Sequence, residues 1–315
     1  MSTPRHFITG RELTHEDLLE LIKRAGKLKK AGGRGTAHTL RRRTVLMIFE
    51  KPSTRTRVSF QVGVAQLGGE ALVLRSDELQ LARGESLRDT AVVLSGYVDA
   101  MVVRIGDHAL LEELAGHAQV PVINALTPLH HPCQVLADLL TLRQRFKKLD
   151  GLRVAYVGDG NNVCNSLMLL GSMAGAQVAV ATPPELRPDE AVVAEAGDSV
   201  RVTDDPREAA KDADALYTDV WVSMGDETDA AQRRRLLAPY QLNDDLISVA
   251  GERAVVMHCL PAHPGEEITE ELLYGDRSVV WDQAENRLHA QKALLELLLA
   301  SKSGTGRSRT TGRVR

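Results

Sequence analysis

Thr44-Val45-Leu46-Met47-Ile48-Phe49 runs directly into Glu50-Lys51-Pro52-Ser53-Thr54-Arg55-Thr56-Arg57, after which Val58, Val62 and Ala65 follow at helical spacing. An apolar run that does not alternate with polar residues reads as a strand buried on both faces, as in parallel sheets covered by helices. Similar runs recur at 71–74, 101–105, 120–123, 152–157, 177–181, 215–217, 254–259 and 278–281, with helix-period stretches between them. The expected fold is therefore α/β, with parallel sheets flanked by helices. At roughly 150 residues per domain, the 315 residues suggest two domains. Segment 143–151 is basic and ends in Asp150-Gly151, where a helix gives way to a new strand, so the division is placed at 1–150 and 151–300. A leucine-rich helix from about 284 to 299 is expected to pack back across that boundary. Residues 301–315 carry five basic side chains and no acidic one, and are expected to be a disordered tail.

Composition narrows the function. Lys and Arg number 39 against 42 Asp and Glu, a net charge of −3, which argues against a nucleic-acid or anionic-membrane partner held by bulk charge. Cys133, Cys164 and Cys259 are an odd, unpaired set, so neither a disulfide framework nor a CxxC zinc site is expected. They read as thiols of a reducing compartment. Residues 1–10 lack the apolar core of a signal peptide, and no run reaches the ~18 apolar residues of a membrane span. A cytoplasmic protein acting on a small molecule is the expectation.

Ligands of open parallel sheets bind outside the carboxyl ends of the strands, so the residues that follow each strand carry the information. Behind the first strand, hydroxyls and guanidinium groups crowd a helix start whose free N–H groups already favour an anion. An N-cap at Ser53 with solvated arginines would explain one hydroxyl and one Arg, but not this density. Arg104 ends another strand, and His131-Pro132-Cys133-Gln134 opens a helix after a third. Arg55, Arg57 and Arg104, with His131 and Gln134 beside them, suit a small molecule bearing both phosphate and carbonyl.

At Ser53 to Arg57 and at His131 to Gln134 the chain resembles the aspartate/ornithine carbamoyltransferase family, and the resemblance extends over 5–299. It implies two α/β domains, the first binding carbamoyl phosphate, with no metal or organic cofactor. It implies that Ser53, Thr54, Arg55 and Thr56 grip phosphate, while Arg104, His131, Pro132, Cys133 and Gln134 line the carbamoyl group and Arg287, at the start of the final helix, completes the contacts. Gln80, in a polar loop, would reach into a neighbouring subunit's site in a homotrimer, with further assembly of trimers left open.

In the second half, Gly158-Asp159-Gly160-Asn161-Asn162 imitates a dinucleotide loop, but Val163 stands where a third glycine belongs, and the next strand ends in Thr182-Pro183-Pro184 instead of an acid. A nicotinamide-dependent oxidoreductase is thereby disfavoured. Asp219 to Gly225 and His258-Cys259-Leu260-Pro261 resemble the ornithine branch of the family. The resemblance implies that Asn162, Asp219, Ser223 and Met224 bind the amino-acid head group, with Cys259 and Leu260 near the reacting amine and Arg104, His131 and Cys259 catalytic. A zwitterionic head group needs a carboxylate for its ammonium and donors for its carboxylate, which Asp219 and Asn162 offer. A metal at His258, Cys259 and His263 is rejected, because adjacent strand residues point to opposite faces. Carbamoyl transfer to L-ornithine is the expected activity; the alternative is a sibling acting on putrescine, an acylated ornithine or aspartate. One departure stands out: Pro264 occupies the position where the family usually has Arg.

Overall fold

The computed structural model describes residues 5–32, 38–79, 84–222 and 227–299. Its strands are β1 (Thr44–Phe49), β2 (Glu70–Arg75), β3 (Ala100–Arg104), β4 (Val122–Leu126), β5 (Arg153–Val157), β6 (Gln177–Ala181), β7 (Val200–Thr203), β8 (Ala215–Thr218) and β9 (Val255–His258). The helices are α1 (His15–Lys30), α2 (Thr54–Gln66), α3 (Leu87–Tyr97), α4 (His108–His117), α5 (Pro132–Phe146), α6 (Asn162–Met173), α7 (Glu190–Ala196), α8 (Pro206–Ala210), α9 (Ala230–Leu237), α10 (Asp244–Val249), α11 (Glu270–Tyr274) and α12 (Val280–Leu299). Two parallel sheets result, ordered β2-β1-β3-β4 and β7-β6-β5-β8-β9. In each the order reverses at a central pair, β1 beside β3 and β5 beside β8, which opens a crevice at the carboxyl ends of those strands.

The expected division near residue 150 falls between α5 and β5, yet the buried core does not divide there. One apolar cluster joins Phe7, Met47 and Val102 to Val154, Tyr156 and Leu170. Two bridges cross the boundary: α5 packs against α6, and α12 packs against α1, α2 and α5 as well as β9. On α1 the buried residues Leu18, Leu21, Ile22, Ala25 and Leu28 form one helical stripe. Its start is fixed by a reciprocal capping box, in which Thr14 Oγ1 accepts from the Asp17 N–H at 3.1 Å, a device worth about 1 kcal/mol. Arg24 on α1 donates through Nε and Nη2 to Glu296 on α12, at 2.5 and 2.9 Å.

Two strand expectations fail. Residues 278–281 make a single bridge, Ser278 to Val256, and then enter α12 at Val280, because one turn of apolar residues cannot be told from a strand by pattern. Conversely β7 forms where the pattern predicts no strand, since Val-Arg-Val-Thr is a half-exposed edge strand with no continuous apolar run. The final helix also begins earlier than expected, so Arg287 lies two turns inside it rather than at its start. Residues 301–315, expected to be disordered, lie outside the described residues.

Candidate active site

At the first crevice the β1–β3 register sets Phe49 opposite Arg104, which places the Arg104 side chain beside the start of α2. Arg104 Nη1 donates to Ser53 Oγ at 3.0 Å. Arg287 reaches the same point from α12: its Nη1 donates to Gln134 Oε1 at 2.6 Å and its Nη2 to Thr56 Oγ1 at 2.5 Å. Thr56, His131, Gln134 and Arg287 are all buried. Side chains from four separate elements, α2, β3, α5 and α12, thus meet around one point.

The cluster carries more positive charge than it neutralises. Burial, and then the neighbouring Arg287 and Arg55, lower the pKa of Arg104. Arg287 is lowered too, chiefly by burial, with Arg55 adding repulsion. Burial and the same two guanidinium groups, Arg287 and Arg104, hold His131 well below the usual imidazole value, so it is neutral at neutral pH. Among the described residues neither Arg104 nor Arg287 has a carboxylate ion-pair partner. Arg104 Nε, Arg287 Nε and His131 Nδ1 are buried and lack a hydrogen-bond partner. Buried donors without acceptors are costly, and an anion seated here would satisfy them. Helix α2 adds its free N–H groups, since Ser53 leaves its own cap position without a side-chain bond.

Not every expected residue joins in. Thr54, Arg55 and Arg57 are exposed, and only Arg55 is felt electrostatically by the buried arginines. Pro132 takes the first helical turn of α5. The Cys133 thiol turns into the core and donates to the Asn124 carbonyl at 3.3 Å, and burial pushes it up to about 12, which leaves only its backbone for a ligand. Gln80 lies outside the described residues, as do Ser223 and Met224.

The second crevice is built differently. Asp219 follows β8, and both its oxygens are taken: Oδ1 by the Cys259 thiol and the Val220 N–H, each at 2.8 Å, and Oδ2 by Asn161 Nδ2 at 2.7 Å. Burial first, and then Asp219, raise the Cys259 thiol well above its ordinary value, so it is a protonated donor and not a thiolate. Asn161 also caps α6, its Oδ1 accepting from Val163 and Cys164 N–H and from the Tyr156 hydroxyl. Asn162, expected here, instead donates to the Thr127 carbonyl at 2.7 Å and ties α6 to the loop after β4. Leu260 adopts φ +60 beyond β9, held by its N–H on His258 Nδ1 at 2.9 Å. The Pro264 loop is gripped by Gln241 Nε2 through the Gly265 and Glu266 carbonyls and by Arg234 through the Glu266 carboxylate.

His263 does not join His258 and Cys259 in one cluster, but strand alternation does not keep the latter two apart, because ligand atoms of Asp219, His258 and Cys259 lie within 4.8 Å of one another. Chemistry still speaks against a cation at this triad. His258 Nδ1 accepts from the Leu260 N–H and Nε2 faces Glu267 at 3.1 Å, so both ring nitrogens are committed.

Similarity to known proteins agrees with this geometry. The carbamoyl-P binding domain of aspartate/ornithine carbamoyltransferase matches residues 5–144, and the family's Asp/Orn binding domain matches residues 150–298. The chain belongs to the aspartate/ornithine carbamoyltransferase family. An ornithine carbamoyltransferase of Methanoculleus marisnigri is 53% identical over 300 residues, covering 94% of this chain and 97% of that protein. The solved ornithine carbamoyltransferase of Pyrococcus furiosus superposes with a TM-score of 0.90 at 49% identity, covering 95% of this chain and 98% of that one. The anabolic ornithine carbamoyltransferase of Campylobacter jejuni gives 0.87 at 38% identity, over 93% and 98% of the two chains. Within this family frame, sequence reasoning missed Asn161, Asp138 and Gln283. Asn161 carried a helix-cap signal, while the other two sit inside regular elements and gave none.

Proposed function

We propose that this chain transfers the carbamoyl group of carbamoyl phosphate to the δ-amine of L-ornithine, giving L-citrulline and phosphate. The observation that carries the reading is the cluster of Arg104, Arg287 and His131, in which Arg104 Nε, Arg287 Nε and His131 Nδ1 are buried without a partner and, among the described residues, neither arginine pairs with a carboxylate. Carbamoyl phosphate supplies what it lacks: phosphate oxygens for the arginines and a carbonyl oxygen for the remaining donors. Gln134 presents Oε1 on the same side, an acceptor suited to the carbamoyl N–H. Ser53, Thr54, Arg55 and Thr56 would hold the phosphate, with Gln80 from a second copy.

On the other crevice, Asp219 would take the α-ammonium of ornithine, exchanging it for Asn161 or the Cys259 thiol. Asn162, Ser223 and Met224 would surround the remainder of the head group, and Leu260 would lie by the reacting amine. The neutral δ-amine attacks the carbamoyl carbon, and the carbon–oxygen bond to phosphate breaks. The proton shed by the new nitrogen leaves on the departing phosphate. Arg104, His131 and Thr56 stabilise the oxyanion that forms at the carbonyl, an effect that depends on donors fixed before reaction.

A second copy has a surface to meet. Val58 and Val62 on α2, Leu72 on the edge strand β2, and Val92, Val93 and Tyr97 on α3 are all exposed. Exposed apolar groups on the edge strand and on α2 and α3 favour burial against another subunit, and closure of three copies around such contacts is the reading for assembly. Free buried thiols at Cys133, Cys164 and Cys259 suit the reducing cytoplasm. Initial rates of citrulline formation with carbamoyl phosphate and a panel of amines test the proposal. Ornithine should win by a wide margin, and preference for aspartate or putrescine would overturn the choice of substrate.

A further inference from the structure

Asp138, on α5, is wholly buried and lies between the two crevices. Its Oδ1 accepts from Gln134 Nε2 at 2.9 Å and from Gln283 Nε2 at 2.8 Å, and its Oδ2 accepts from the Tyr217 hydroxyl at 3.0 Å. These donors come from α5 itself, from α12 and from β8 of the second sheet. Oδ1 can accept both glutamines in either protonation state, as a carboxylate oxygen or as the carbonyl oxygen of the protonated acid, so it draws the NH2 end of each toward itself. The carbonyl ends are then aimed outward. Gln134 Oε1 meets Arg287 Nη1, and Gln283 Oε1 meets the His258 N–H at 3.0 Å, immediately before Cys259. With the glutamines reversed, Gln134 would turn an NH2 group on the Arg287 guanidinium.

We infer that Asp138 is the positioning residue of the transfer site: by fixing which way Gln134 and Gln283 point, it sets Arg287 in the anion site and the β9 end in the amine site. The inference rests on reading the arginine cluster as a carbamoyl phosphate site. Tyr217 shares the carboxylate but orients neither glutamine, and this makes the idea separable from simple loss of packing.

Three variants compared by steady-state kinetics and melting temperature test it. Asp138→Ala frees both amides and should lower kcat/KM for carbamoyl phosphate by about tenfold or more, as expected when a charge-assisted contact loses its geometry. Asp138→Leu, which fills the space instead of emptying it, should do the same if the alanine chain folds poorly. Asp138→Asn should recover most of the loss, because its carbonyl oxygen can take both glutamines. Tyr217→Phe should leave the carbamoyl phosphate KM within about twofold, whatever its melting temperature. Binding of inorganic phosphate, read by calorimetry, should rank the variants in the same order without any turnover. If the wild-type protein makes no citrulline, the substrate reading fails, and the phosphate ranking alone judges Asp138. Wild-type phosphate affinity in both Asp138→Ala and Asp138→Leu would overturn the inference, as would losses in all variants that simply track their melting temperatures.

Discussion

The two crevices solve opposite problems. At the end of the first sheet, Arg104 and Arg287 repel each other, carry orphaned Nε groups and depress the protonation of His131. At the end of the second, Asp219 is fully engaged by Asn161, Val220 and Cys259. The first region is unsatisfied until an anion arrives, whereas the second is satisfied until an amine displaces one of its internal donors. An anion should therefore bind the free protein readily, and the amine should bind well only when other interactions offset the bonds it breaks.

The sharpest test of that contrast is Arg104→Met. It removes a desolvated cation that no carboxylate balances, so kcat/KM should fall by about 10²- to 10³-fold, the usual consequence of deleting one oxyanion donor. Thermal stability should hold or rise, because the repulsion with Arg287 disappears. A variant that lost stability along with activity would show the cluster to be structural.

Asp219→Asn probes the other side and should act in the reverse sense. The new amide cannot accept from both Asn161 and the Cys259 thiol, so the internal network loosens. The KM for ornithine should rise by about tenfold or more, while carbamoyl phosphate binding stays near wild type. Equal damage to both substrates would erase the distinction between the regions.

Asp138 lies between them and adds a pH test of stability. Burial pushes its carboxyl from 3.8 up to about 7 against the lowering effect of its three hydrogen bonds and Arg287. The groups facing it are Gln134 on its own helix, Tyr217 on β8, Gln283 and Arg287 on α12, and Cys259 beyond β9. Between the unfolded and folded values the native state holds more protons than the unfolded chain, so this group's contribution to stability is lost as pH rises through that window. Asp138→Asn lacks that loss. Calorimetric melting should show the variant gaining on the wild type between pH 4 and 7, and a constant difference would show that Asp138 does not titrate there.

Cys259→Ser should matter least. A serine hydroxyl still donates to Asp219, and the protonated thiol is no nucleophile, so citrulline formation should fall only a few-fold. Loss of all activity would assign the sulfur a chemical role that this geometry does not give it.

Much of this was legible in the chain. Continuous apolar runs fixed the parallel α/β class, because a strand covered on both faces has no polar side to display. The dense hydroxyl and guanidinium run at Ser53 to Arg57 pointed to the crevice where Arg104 and Arg287 meet, because local spacing alone sets a helix start. What pattern could not decide was which side chains converge. Arg57 stays exposed and Cys133 faces the core, though each sits one residue from a participant. Their directions depend on the twist of each helix start and on what packs against it. Arg287 reaches Thr56 across 231 positions of sequence only because α12 folds back over α2 and α5. Asp138 meets Tyr217 for a similar reason, with α5 and β8 brought together by the shared core. Local sequence determined the elements and the chemistry offered at their ends. The tertiary fold alone chose the partners, because burial and hydrogen-bond satisfaction are settled among elements and not within them.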